Sequence, residues 1–165
     1  VADYYERVMD WLLPGLAGRP LAVLRCPDGT QKACFFQKHH TAGMDVSTIS
    51  LPEEKGGRQD YLMVRDKTDI MQLVQFNAVE FHPWGAQADS PEHCDRLVFD
   101  LDPSVEVPWA NVKKAARQVR DLLTQLQLQS FVRTTGALGR CKTVCAGICR
   151  VAGRSPSGYL YRYCL

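Results

Sequence analysis

Apolar positions along the chain alternate between two periods, and the switches between them mark out the elements. Residues 3–13 carry Tyr4, Tyr5, Val8, Trp11 and Leu12 at helical spacing, with Asp3 placed to cap and Pro14-Gly15 predicted to stop the helix. "LAVLRC", "PDGT" and "ACFFQKH" then read as strand, turn and strand, since Pro-Asp-Gly presets a turn. The β-branched "VSTISL" (46–51) and "YLMVRD" (61–66) predict a hairpin across a long solvated loop, "PEEKGGRQD". "TDIMQLVQF" (68–76) predicts a short helix with a Thr or Asp cap, and "AVEFHPW" (78–84) a strand. "GAQADSPEHCD" is a polar loop. "RLVFDLD" (96–102) predicts a strand that Pro103 must end, because proline has no N–H for a ladder. Pro108 opens the strongest helix, with Val112, Ala115, Ala116, Val119, Leu122, Leu123 and Leu126 on one face. "SFVRTTG" (130–136) follows as a strand and its turn. The order is that of a mixed α/β (α+β) chain with no internal repeat.

Composition narrows the class. With 45% apolar and 23% charged residues over 165 positions, the chain is globular and long enough for one real core. Its apolar runs are too short to cross a membrane, and "VADYYERVMDW" mixes acids with apolar residues unlike a signal peptide, so a cytoplasmic protein without a membrane partner is expected. The net charge of +2 conceals an asymmetry: five basic and no acidic residues lie from Gly136 onward, leaving 15 basic and 18 acidic before it. Four of the seven cysteines (Cys141, Cys145, Cys149, Cys164) lie in that same tail, and Cys26, Cys34 and Cys94 show no paired spacing, which suggests a reducing compartment. Cys141, Cys145 and Cys149 would stack on one side of a helix, but zinc sites pair their ligands and no histidine lies nearby. A basic, weakly structured tail over 136–165 is expected, after a domain over 1–135.

Three segments carry candidate chemistry. On a strand, Asp100 and Asp102 would share a face, their Cα atoms roughly 6.5–7 Å apart, with Leu97, Phe99 and Leu101 on the other. Such a pair either faces water at a strand end or binds hard divalent cations. His82 in "EFHPWG" is either structural or a donor to a phosphate oxygen. Of the adjacent Phe35 and Phe36, one is expected in the core; the other, exposed beside Lys38, would suit base stacking with a phosphate contact. Arg133-Thr134-Thr135-Gly136 offers donors at a strand end.

Together, "LLPGLAGRPLAVLRCPDG", "FFQKHHTAGM", "VEFHPWGAQADSPEHCDRLVFDLDPS" and the helix after them resemble the polymerase domain of bacterial ligase D, a primase-type nucleotidyltransferase of non-homologous end joining. The resemblance runs from about Tyr4 to Gly136. It implies an archaeo-eukaryotic primase-like mixed sheet with flanking helices, here incomplete. It also implies Asp100 and Asp102 as ligands of catalytic Mn2+ or Mg2+, and His82 as catalytic through the phosphates of an incoming NTP or dNTP. Arg133, Thr135 and Gly136 would contact the nucleotide. Arg25, Phe35, Phe36 and Lys38 would engage a DNA end bearing a 5′-phosphate. Ku and a ligase domain are implied partners, and a nucleoid-associated location follows.

The departures from that pattern are local. After Thr135 the family reads Gly-Gly-Lys-Gly-Leu-His; here Gly136 and Gly139 match, while Leu138 and Cys141 replace the lysine and histidine. No aspartate follows Asp121, so the family's third metal-binding carboxylate is missing. The expected polymerase activity is therefore impaired. A shifted reading frame after codon 136 would account for the change and would leave the lysine–histidine motif in a neighbouring frame of the coding DNA. Two alternatives stand beside the enzyme: a non-catalytic DNA-end-binding module, and a haloacid-dehalogenase-type phosphatase, whose D-x-D also ends an apolar strand.

Overall fold

A computed structural model of the chain describes residues 1–53, 56–134 and 143–148. The chain forms two compact units, dividing after Pro91. The first unit runs α1 (Ala2–Leu16), β1 (Leu21–Arg25), β2 (Phe35–Gln37), β3 (Thr48–Pro52), β4 (Arg58–Leu62), α2 (Lys67–Gln75) and β5 (Ala78–Pro83). The second holds β6 (Arg96–Leu101), α3 (Trp109–Gln125), β7 (Gln129–Thr134) and β8 (Thr143–Ile148).

Helix α1 buries Tyr5, Met9 and Leu16, with Val8, Leu12 and Leu13 packed beside them. Tyr4 and Trp11, expected on that stripe, are 62% and 81% exposed, because the buried line 5–9–12–16 leaves both on the far side of the turn. Nor does Pro14 stop the helix. A proline in the last turn removes one hydrogen bond, and the buried Leu16 together with the Ala17 N–H to Leu13 carbonyl bond (2.8 Å) carries the helix past it. Asp3 lies in the first turn without making a side-chain cap. Helix α2 is capped not by the expected Thr68 or Asp69 but by Asp66, which accepts from the backbone N–H groups of both, so the helix starts one residue earlier.

In the first unit, β2-β1-β5 form an antiparallel sheet and β3-β4 the anticipated hairpin, whose second strand starts earlier than expected, at Arg58. The core lies between these strands and the two helices; Leu21, Val23, Leu62, Val64, Ile70, Leu73 and Ala78 are fully buried there. Asp69 is also buried, and its two oxygens accept from the backbone N–H groups of Ser47 (2.8 Å) and Arg65 (2.7 Å), tying both ends of the hairpin to α2.

Pairing of Arg25 with Phe35 sets the next residues out, Cys26 and Cys34, opposite each other, and these two form a disulfide with Cα atoms 4.4 Å apart. They are thus not the unpaired thiols that their spacing suggested, and the spacing argument for a reducing compartment falls with that. The turn between them is the anticipated one, closed by the Gly29 N–H to Cys26 carbonyl bond, with Gly29 at a φ of 91°.

In the second unit the strand order is β6-β8-β7, all neighbours antiparallel, with α3 linking β6 to β7. Residues 143–148 are therefore a central strand and not part of a weakly structured tail. Cys145 lies on that strand and not on a helix, while Cys141, Cys149 and Cys164 lie outside the described residues. Two strands with open ladder edges take up this segment despite its composition. Val112 and Leu123 are buried on α3, whereas Leu122 and Leu126 of its expected stripe are 55% and 59% exposed. No helix of the described residues is long and apolar enough to cross a membrane.

Candidate nucleic-acid interface

Strand β2 is an edge strand of three residues, and this decides the fate of its aromatic pair. Phe35 and Phe36 are 48% and 60% exposed, so neither enters the core as one was expected to. They still project to opposite faces. Phe35 pairs with Arg25 and lies on the face of Val23 and Ala78, beyond the edge of the core. Phe36 pairs with Leu24 on the outer face, where His82 also stands through its pairing with Ala22.

Each aromatic has a cationic or polar neighbour. The Arg25 guanidinium lies 5.4 Å from the Phe35 ring centre and 5.6 Å from that of Phe76. Its Nε donates to the Phe76 carbonyl and its Nη1 to Gln37 Oε1, both at 2.7 Å, and Gln37 donates in turn to Thr41 Oγ1. Arg25 is thus a braced cation with donors to spare. On the other face the His82 ring packs edge-on against Phe36 at 5.1 Å. His82 Nε2 lies 2.9 Å from Glu80 Oε2, two residues back on the same side of β5, so that nitrogen faces an acceptor.

Lys38, just past β2, lies over the Tyr61 ring (5.3 Å) with its Nζ 3.4 Å from the phenol oxygen. The Tyr61 hydroxyl donates to Glu53 Oε1 at 2.6 Å, and His39 Nε2 faces the same oxygen at 3.6 Å. Burial, then the Glu53 carboxylate, pushes the Tyr61 phenol well above its ordinary range. That same hydrogen bond, with the charges of Lys38 and His39, holds Glu53 below the ordinary carboxylate range. Trp84 packs edge-on against Tyr61 at 5.3 Å, and its backbone is fixed by the Trp84 N–H to Pro20 carbonyl bond and by the buried Arg19, whose Nη1 donates to the Trp84 carbonyl. Tyr61, Glu53 and Glu80 were missed in the sequence. Glu-x-His on a strand was a usable signal for Glu80, since residues i and i+2 share a face. Nothing local flags Tyr61, which meets Lys38 because residues 60–62 pair with residues 38–40.

In the second unit, Asp100 is exposed near the end of β6, alternating with the half-buried Leu97, Phe99 and Leu101 as expected. Asp102 is exposed too but lies one residue past the strand, which ends at Leu101. Two exposed carboxylates are hard oxygen donors that fit a divalent cation. Among the described residues no group of three or more His, Cys, Asp or Glu gathers around a possible metal position. Asp100 and Arg133 both pair with Val144 of β8, so they stand in one row across the sheet, two strands apart. Thr135 and Gly136 lie outside the described residues, as do Leu138 and Cys141.

Comparison with known proteins matches this architecture to one family. The model of the LigD primase-polymerase domain matches residues 1–143. The multifunctional non-homologous end joining protein LigD of Pseudomonas aeruginosa is 34% identical over 140 residues, and its counterpart in Mycobacterium tuberculosis is 32% identical over 151; each match covers 84% of this chain. The chain spans only 17% and 20% of those two relatives. A solved structure, the polymerase domain from Mycobacterium tuberculosis ligase D in complex with DNA, superposes with a TM-score of 0.78 at 29% identity, covering 91% of this chain and 54% of that one. The D-x-D of a phosphatase has no support in this pattern. The chain belongs to the LigD primase-polymerase domain family of non-homologous end-joining DNA repair.

Proposed function

We propose that this chain engages a DNA end through β1–β2 and β5, and carries two of the carboxylates with which the family performs nucleotidyl transfer. The observation that carries the reading is the exposed Phe35–Phe36 pair, flanked by Arg25 on one face and by His82 and Lys38 on the other. Aromatic faces that water covers poorly, set beside cations, suit unstacked bases and their phosphates. The DNA-bound relative supports a DNA partner of this kind.

Asp100 and Asp102 would hold Mn2+ or Mg2+, which when bound neutralises phosphate charge and activates the attacking hydroxyl. His82 is proposed as a contact to a nucleotide phosphate, and Arg133, Thr135 and Gly136 as contacts to an NTP or dNTP. Any Ku or ligase partner would act on the bound end. The test is fluorescence anisotropy with a recessed duplex bearing a 5′-phosphate. Phe36→Ala is expected to weaken binding by about 1–3 kcal/mol, one base stacked on one ring. Unchanged affinity in both Phe35→Ala and Phe36→Ala would exclude the interface.

A further inference from the structure

Lys38 stands in an unusual electrostatic position. Among the described residues no carboxylate forms an ion pair with it, although Glu53 lies within about 6 Å, close enough to attract an ammonium strongly in partly buried surroundings. What stands between them is Tyr61. Its ring is nearly fully buried, fixed by the edge-on contacts with Trp84 and His39, and cannot swing aside. The ring face seats the ammonium, and the hydroxyl spends its one proton on Glu53 Oε1 while its lone pair faces Nζ.

We propose that Tyr61 is the positioning residue for Lys38: its hydroxyl occupies Glu53 and its ring seats the ammonium, which leaves the Lys38 charge available to a DNA phosphate. The inference rests on the reading of Lys38 as a phosphate contact. It adds that the chain keeps this cation unneutralised by giving the nearest carboxylate another partner. Removal of the hydroxyl alone leaves the ring seat in place, frees Glu53 and lets it pair with Lys38 directly.

The experiment compares binding of the full chain to recessed duplexes that carry a 5′-phosphate or a 5′-hydroxyl, so that the phosphate increment is read as a ratio of two affinities. Lys38→Ala is expected to abolish the increment and to lower the salt slope of log K by about 0.9. If Lys38→Ala retains the increment, the reading of Lys38 itself fails. With Lys38 established, Tyr61→Phe is expected to reduce the increment about fivefold, a little over 0.9 kcal/mol, and the double variant Tyr61→Phe/Glu53→Gln to restore it. A merely structural role for Tyr61 does not give rescue by a substitution at Glu53. An unchanged increment in Tyr61→Phe, or no recovery in the double variant, overturns the proposal. Should Tyr61→Phe fail to fold, Glu53→Gln alone decides: with its charge removed, the increment is expected to equal or exceed that of the parent chain, and a fall overturns the inference.

Discussion

Residues 1–91 and residues 92–148 place their apolar side chains in different ways. The first unit closes a core in which Leu21, Val23, Leu62, Val64, Ile70, Leu73 and Ala78 have no solvent exposure. In the second, Val112 and Leu123 are the buried apolar residues among those described, while Trp109, Leu122, Leu126, Phe131 and Val132 are 45–66% exposed. The candidate DNA contacts are therefore mounted on a closed frame, where each side chain has a partner that fixes it: Gln37 for Arg25, Glu80 for His82, Tyr61 for Lys38. The candidate metal carboxylates are mounted on a sheet with open apolar surface, and Asp102 lies beyond the strand altogether. The DNA contacts proposed for the first unit would be preorganised; the chemistry proposed for the second rests on a less enclosed scaffold.

The contrast is broken most directly in the core. Leu62→Ala is expected to cost about 2–5 kcal/mol, a buried leucine removed with a cavity left behind, whereas Leu122→Ala on α3 is expected to change stability by less than ~0.5 kcal/mol. Urea unfolding followed by circular dichroism measures both, and equal losses would erase the distinction between the units. Next in size, Asp69→Ala takes the acceptor from the N–H groups of Ser47 and Arg65, at an expected cost of about 1–3 kcal/mol. Hydrogen exchange resolved along the chain should show that loss within residues 1–91.

The smallest effect is a pH dependence confined to the first unit. Burial, helped by the neighbouring Tyr4 and Glu80, pushes the Tyr5 phenol up to about 12 from 10.0, and its hydroxyl donates to the Val79 carbonyl. Because the folded state favours the protonated phenol, its contribution is complete below pH 10 and is lost as pH rises through about 12. Tyr5→Phe is expected to flatten the alkaline fall in stability across that window. Some slope should remain, since the Tyr61 phenol is also raised. An alkaline unfolding profile identical to that of the parent chain would remove Tyr5 from the account.

The elements that were legible in the sequence are those whose local signals agree: α2 by its apolar spacing, the Pro-Asp-Gly turn, β6 ending before Pro103, and α3 opening at Pro108. Where tertiary packing overrides a local signal, the sequence misleads. Pro14 reads as a stop, but Leu16 is held in the core beyond it. Trp11 reads as apolar and therefore buried, yet its angle around α1 points it to solvent. Cys26 and Cys34 look unrelated until the β1–β2 register brings them together. The same holds for the candidate site. Phe35, Phe36, Lys38 and the two aspartates stand out as residue types in a pattern, and Glu80 was within reach of a strand-period argument. Tyr61 and Glu53 depend on β3–β4 lying beside the end of β2, a non-local fact that no window of sequence contains.

The strand order of the second unit bears on how the chain leaves the ribosome. β6 and β7 are not neighbours; each hydrogen-bonds to β8, the last of the three to be synthesised. The strand that carries Asp100 thus emerges early and waits, its ladder groups unpaired, while α3, β7 and the following residues are translated. Until Ile148 is clear, this sheet cannot close and Asp100 has no fixed row in which to stand. The first unit, whose strands find their partners within residues 21–83, can form before that point. During synthesis, then, the chain completes the sheet of the candidate DNA interface first and the sheet of the Asp100 strand last, with an exposed edge in the interval that nascent-chain chaperones would be expected to cover.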